Sequence, residues 1–142
     1  MTTGIGPFSG EWAFLSNFYP SPLDWRGLLF PTVENAFQAA KTNDPDALRS
    51  FTEITPDKAA ELGRLVMLRP DWEEVKLDIM AELLALKFEI PALRRRLLAT
   101  GQAPLVNEAW WGDIYWGITR GRGANHLGLL LMALRHHLQT SA

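Results

Sequence analysis

Apolar residues recur at helical spacing in four stretches of the chain, and aromatic, Gly- and Pro-rich segments separate them. In the longest stretch Trp72, Val75, Ile79, Met80, Leu83 and Leu84 fall on one face, predicting a main core helix that starts after Pro70 and runs to about Glu89. Leu127, Leu130, Leu131, Leu134 and Leu138 predict a last helix, with Asn125 as its cap. Pro91 opens a helix holding Leu93, Leu97 and Leu98, with Gly101 as its stop. The fourth stretch has Thr32 as cap, an apolar line of Val33, Phe37 and Ala40, and beside it a polar line of Glu34, Gln38 and Lys41. Asp44-Pro45 and Thr55-Pro56 each match an N-cap followed by proline at the first helical position, predicting short helices near 45–53 and 56–63. Gly63-Arg64 ends the second.

Elsewhere the helical period is missing. Three prolines within 20–31 forbid a long helix, while Leu23-Asp24-Trp25 and Leu28-Leu29-Phe30 flank Arg26-Gly27 as a short hairpin. Between Gln102 and Gly123, Leu105-Val106 and the run from Trp110 to Gly117 suit short strands or an ordered loop. The elements so predicted are mainly α-helices, with a small N-terminal β-hairpin and short strands, in a single domain over 1–142. No repeat, low-complexity tract or linker interrupts it.

Composition narrows the chemistry. At 142 residues, 47% hydrophobic and 21% charged, the chain is an ordinary globular domain. Lys plus Arg number 14 and Asp plus Glu 16, so the net charge of −2 supplies no global attraction to a polyanion. The absence of cysteine excludes disulfides, a thiolate nucleophile and cysteine-ligated metal. His126, His136 and His137 cluster near the C-terminus without a spaced partner, so neither a metal nor another cofactor is expected. The first residues lack a secretory pattern and no apolar run approaches about 18 residues, so a soluble, cytoplasmic protein without a membrane partner is expected.

Glu34, Gln38 and Lys41 stack at i, i+4 and i+7, putting an acid and an amine roughly 10 Å apart along one helical edge. They could reach opposite ends of one small ligand, or form a solvated face. Trp72 belongs to the core stripe, whereas Trp110, Trp111 and Trp116 surround Asp113 in a Gly-punctuated segment where flat side chains could stack on a heterocycle or pin a loop. Asp113 could bind a sugar hydroxyl, hold a water or cap a turn. Arg64, and Arg120 and Arg122 ahead of a helix start, could contact phosphate, although the Gly-rich turn of Arg120 and Arg122 reads first as a plain connector. Arg94-Arg95-Arg96 reads as a solvated face.

The order of several segments resembles the NADAR, or YbiA-like, family over nearly the whole chain. They are Phe14-Leu15-Ser16-Asn17-Phe18-Tyr19-Pro20, Pro31-Thr32-Val33-Glu34, Phe37-Gln38-Ala39-Ala40-Lys41, Gly63-Arg64, Arg69-Pro70-Asp71-Trp72, Leu97-Leu98-Ala99-Thr100-Gly101, Trp111-Gly112-Asp113, Trp116-Gly117 and Asn125-His126-Leu127-Gly128. The resemblance implies a compact, mainly helical α+β fold and cleavage of N-glycosidic bonds to ribose, either in ribosylamino-pyrimidine intermediates of riboflavin synthesis or between ADP-ribose and guanine. It implies Glu34, Lys41 and Asp113 as catalytic residues, and Asn17, Phe18, Gln38, Arg64, Trp111, Trp116, Gly117 and Asn125 as substrate contacts. Two positions depart from the family pattern. Asn35 replaces a histidine, and Asn107-Glu108 stands where the carboxylate comes one residue earlier.

Ribosyl C–N cleavage builds oxocarbenium-like charge and needs a proton for the departing nitrogen, work suited to Glu34 and Asp113. A second route opens the sugar ring to an imine onto which an amine, Lys41, exchanges as a Schiff base. The expected partner is a small nucleotide or an ADP-ribosylated nucleic-acid base. The alternative is a module that binds ADP-ribose or a related nucleotide without hydrolysing it, suggested by Asn107.

Overall fold

The computed structural model describes residues 4–141. The chain forms two compact units: Asn17–Ile90, and the described parts of Met1–Ser16 with Pro91–Ala142.

The first unit begins with the hairpin of β1 (Leu23–Trp25) and β2 (Leu28–Phe30), paired antiparallel with Leu23 opposite Phe30 and Trp25 opposite Leu28. Arg26 and Gly27 both take positive φ, +52° and +80°, the combination a two-residue type I′ turn requires. Leu23, Trp25 and Phe30 are buried while Asp24 and Leu29 face outward. The buried face packs on α1 (Val33–Ala39) and α4 (Trp72–Lys87). Trp25 satisfies its indole N–H on Glu82 Oε1 at 3.0 Å.

Between those helices lie α2 (Pro45–Arg49) and α3 (Pro56–Gly63), both starting at the expected prolines. Asp44 caps α2 through the N–H of Asp46 at 3.1 Å. Thr55 makes no side-chain cap; its hydroxyl bonds the Asp57 carboxylate instead. The helix expected over 45–53 closes at Arg49, where Ser50 and Thr52 hydroxyls bond the carbonyls of Ala47 and Arg49. These back-bonds replace the next helical turn. In α4, Ile79, Met80, Leu83 and Leu84 are buried as the periodicity required.

In the second unit a 3-10 helix (Gly10–Leu15), absent from the sequence expectations, buries Phe14 and Leu15. Arg96 of α5 (Pro91–Ala99) lays its guanidinium over the Phe14 ring at 4.1 Å and donates to Glu11 O at 2.8 Å. Its stretch of three arginines is nonetheless exposed. α6 (His126–Thr140) packs against α5, and buried Arg135 donates to Thr100 Oγ1 at 2.8 Å. Residues 102–125 are the expected ordered loop with isolated bridges, Ile5 to Leu105, Glu108 to Ile118 and Thr119 to Arg122. No helix among the described residues is long and apolar enough to cross a membrane.

Candidate active site

Thr32 starts α1 with extended backbone, accepts the Asn35 N–H at 3.1 Å and donates its hydroxyl to Asn35 Oδ1 at 2.6 Å. The Thr32 hydroxyl thus serves as both acceptor and donor at the helix entry. The preceding N–H, that of Glu34, is satisfied by Asn17 O at 3.0 Å, which ties the loop before the hairpin to the helix entry. Asn17 itself is buried, its Nδ2 lies 3.6 Å from Met80 Sδ, and its Oδ1 has no hydrogen-bond partner among the described residues.

One helical turn after Glu34, Gln38 donates Nε2 to Glu34 Oε1 at 2.7 Å. Gln38 Oε1 is the second buried acceptor without a partner, wedged against Gly63 of α3. An orphaned buried acceptor costs about 1–3 kcal/mol. Such orphans are rare, and both belong to residues bonded to Glu34, Asn17 through its carbonyl and Gln38 through its amide N–H.

Lys41 departs from expectation in one respect. α1 closes at Ala39, with Ala40 as C-cap, so Lys41 sits in the turn beyond the helix and donates its N–H to Gln38 O at 3.2 Å. The run of small residues ahead of it, Ala39 and Ala40, is buried without exposure to solvent, and the turn tightens where intrahelical bonds end. Lys41 remains close enough to Glu34 for that carboxylate to raise its pKa, yet burial outweighs it and, with Arg64 and Lys76, holds the amine below the ordinary lysine value. Arg64 is exposed at the end of α3, and Phe18 is 45% exposed. Glu34, Gln38, Lys41 and Asn17 therefore form one constellation within Asn17–Ile90, with Phe18 and Arg64 in the same unit.

Trp111, Asp113, Trp116, Gly117 and Asn125 belong to the other unit. Asp113 Oδ1 accepts the N–H groups of Tyr115 and Trp116 at 3.1 and 2.9 Å, closing its own turn. Trp111 is 59% exposed and meets Trp110 edge-on at 5.7 Å, whereas Trp116 is partly buried in a cluster with Tyr115 and His126. Gly117 passes so close to Asn107 that a Cβ would overlap the Asn107 carbonyl. Asn125 stands at the N-cap position of α6 in left-handed conformation, φ +53°, but makes no side-chain cap. Its amide instead bridges Asn107 N at 2.9 Å and Leu105 O at 3.0 Å, a clamp on the loop.

Both departures from the family pattern have structural roles. Asn35 is fully buried and its Nδ2 bonds Phe51 O and Ile54 O at 2.9 and 2.8 Å, stapling the α2–α3 connection. Asn107 donates Nδ2 to Trp116 O at 3.2 Å, and Glu108 is exposed. The sequence reading missed Lys87, an amine with no solvent exposure at the end of α4, 5.2 and 5.9 Å from the Phe88 and Tyr19 ring centres. The apolar stripe of Met80, Leu83 and Leu84 continues at position 87, which is the signal that locates it.

The NADAR domain matches residues 6–139. The chain is 41% identical to N-glycosidase YbiA of Escherichia coli (strain K12), covering 92% of this chain and 84% of that protein. It is 38% identical to the maize riboflavin biosynthesis protein PYRR, chloroplastic, over 96% of this chain but only 25% of that longer protein. The NMR structure of E. coli YbiA superposes with a TM-score of 0.86 at 38% identity, covering 99% of this chain and 88% of that one. The α+β architecture is thus that of YbiA, and the chain belongs to the NADAR domain family.

Proposed function

We propose that this protein is an N-glycosidase that cleaves the C–N bond between ribose, in ADP-ribose or ribose phosphate, and the amine of a base. The observation that carries the reading is Lys41: a partly buried amine with lowered pKa beside a carboxylate that Gln38 orients. Relatives named N-glycosidase, and others named for riboflavin biosynthesis, support the reaction class. An aminopyrimidine ribosyl phosphate and guanine carrying ADP-ribose on an amino group share the required feature, a glycosidic nitrogen that bears hydrogen.

Such a nitrogen lets the furanose open at C1–O4 into an imine between C1 and the base amine. Neutral Lys41 Nζ adds to C1, and the base nitrogen gains a proton. The C1–N bond to the base then breaks, leaving the base as a free amine and C1 in a Schiff base with Lys41. Water adds to that Schiff base and returns ribose as its aldehyde, which recloses, and Lys41 as amine. Glu34 moves the protons between the two nitrogens and the water. The unpartnered acceptor Asn17 Oδ1 suits a hydroxyl of an opened ribose.

The test supplies ribosylaminouracil phosphate and an oligonucleotide with ADP-ribosylated guanine, with and without borohydride. Release of the free amine, a reduced adduct on Lys41, and loss of both in Lys41→Ala are expected. Turnover that survives in Lys41→Ala and Glu34→Gln would falsify the assignment. Binding of ADP-ribose with no turnover of either substrate would leave a binding module instead.

A further inference from the structure

The end of α1 is gripped by a segment that has no part in the chemistry above. Beyond Ala39 the carbonyls of Ala40 and Lys41 lie past the last helical turn, and both are met by one residue. Arg69 donates its backbone N–H to Lys41 O at 2.7 Å, and its Nη1 reaches Ala40 O at 3.5 Å, the outer limit of a hydrogen bond. The guanidinium is itself locked. Its Nε and Nη2 form a fork on Asp71 Oδ1 and Oδ2 at 2.6 and 3.0 Å, and its side chain is only 12% exposed. The next residue, Trp72, packs on Phe37 of α1 with ring centres 5.0 Å apart.

We infer that Arg69, held by Asp71, is a positioning residue for Lys41, fixing the turn from which the attacking amine projects. The inference rests on the reading of Lys41 as nucleophile. A lysine amine ends a flexible four-carbon stem, so its placement depends on how firmly its own backbone is held. Here that backbone stands outside the helix, where fraying is expected unless something supplies the missing bonds. A cation at a helix C-terminus is also favoured by the helix dipole. Arg69 meets the turn through its backbone N–H and its Nη1, so its influence on Lys41 is exerted through the position of the backbone. Asp71 contributes by occupying one edge of the guanidinium and leaving Nη1 aimed at Ala40.

The experiment compares Arg69→Gln, Arg69→Lys and Asp71→Asn with wild type in steady-state kinetics and in the rate of borohydride trapping on Lys41, with unfolding curves to establish that each is folded. Misplacement by 1 Å can cost a hundredfold, so kcat should fall about tenfold or more in Arg69→Gln while KM stays within about threefold. Trapping should slow in parallel. Arg69→Lys should not rescue, because an ammonium cannot form the fork on Asp71. Asp71→Asn, which keeps Arg69, should show a smaller loss in the same direction and carries the test if Arg69→Gln does not fold. Folded variants that turn over and trap at the wild-type rate would overturn the positioning role alone. A wild-type enzyme that forms no adduct, with full activity in Lys41→Ala, would overturn both this role and the reading beneath it.

Discussion

Gln38 Nε2 lies 2.7 Å from Glu34 Oε1, and the other end of the same amide is pressed against Gly63. The carboxylate is therefore oriented by a side chain whose own position depends on a missing Cβ in α3. A Cβ at Gly63 would overlap Gln38 Oε1 and come within 2.8 Å of Gln38 Cδ. Because alanine favours the helix, Gly63→Ala should cost little intrinsic helix energy and fall instead on the Glu34–Gln38 bond. We expect kcat to drop about tenfold with a smaller effect on stability, and Gln38→Ala in the same chain to remove the clash, so that the two changes are non-additive. A double-mutant cycle in kcat/KM checks this, and simple additivity would separate Gly63 from the site.

The lowered pKa of Lys41 fixes the sign of the pH dependence. Nucleophilic attack needs the neutral amine, so kcat/KM should rise with pH through the Lys41 titration, at a pH below the ordinary lysine range. Lys76 is one of the cations that depress it. Removing that charge in Lys76→Gln should move the rising limb to higher pH, although its ion pair with Glu73 at 2.5 Å softens the effect. An unmoved limb in the pH profile would mean that the titrating group is not Lys41.

Asn35 predicts a change in stability rather than chemistry. Its amide bonds Phe51 O and Ile54 O while its Oδ1 takes the Thr32 hydroxyl, all inside the unit. Asn35→Ala should destabilise by about 2–4 kcal/mol by orphaning these groups, and leave kcat per folded molecule unchanged. Urea unfolding with parallel kinetics at a temperature where the variant is folded measures both. A large loss of kcat in folded protein would return Asn35 to the site.

That residue also shows where the sequence was legible and where it was not. Periodicity located α4, α5 and α6, and Arg26-Gly27 located the hairpin, because those signals are local. Glu34 and Gln38 were found together because i and i+4 meet on any helix. The end of α1 was not legible: nothing in Ala39-Ala40-Lys41 announces a stop, and the residue that meets the carbonyl of Lys41 is Arg69, far along the chain. The parts of Asn35, Asn107 and Asn125 were hidden for the same reason. Asn125 was expected to touch substrate, and Asn35 and Asn107 were expected to alter activity, because their backbone partners, at separations of 9 to 20 residues, are not visible in the sequence.

Asp113 can be dissected by the atom it uses. Its Oδ1 closes the turn on the N–H groups of Tyr115 and Trp116, a bond that an asparagine oxygen can also accept without charge. If the carboxylate has a charge-dependent role in catalysis, Asp113→Asn should lose about a hundredfold in kcat while remaining as stable as wild type. If closing the turn is its whole contribution, Asp113→Asn should be active and Asp113→Ala impaired. Kinetics and thermal unfolding of the two variants distinguish these outcomes.

Lys87 sets a stability dependence on pH that is separate from catalysis. Burial pushes its pKa down to about 7, while the rings of Tyr19 and Phe88 favour the charged form. A cation–π contact is worth about 0.5–2 kcal/mol. Desolvating an ammonium costs several kcal/mol, so burial prevails. In the unfolded chain the amine titrates near its usual 10.5, so between about pH 7 and 10.5 the unfolded state binds more protons. Unfolding free energy should therefore rise with pH across that window and be flat below it. Lys87→Met keeps the stem and removes the charge. It should flatten the rise, so that the variant's stability relative to wild type improves as pH falls from 10 to 6. Urea unfolding at pH 6, 8 and 10 makes the comparison. A rise of the same size in Lys87→Met would show that another group sets the dependence.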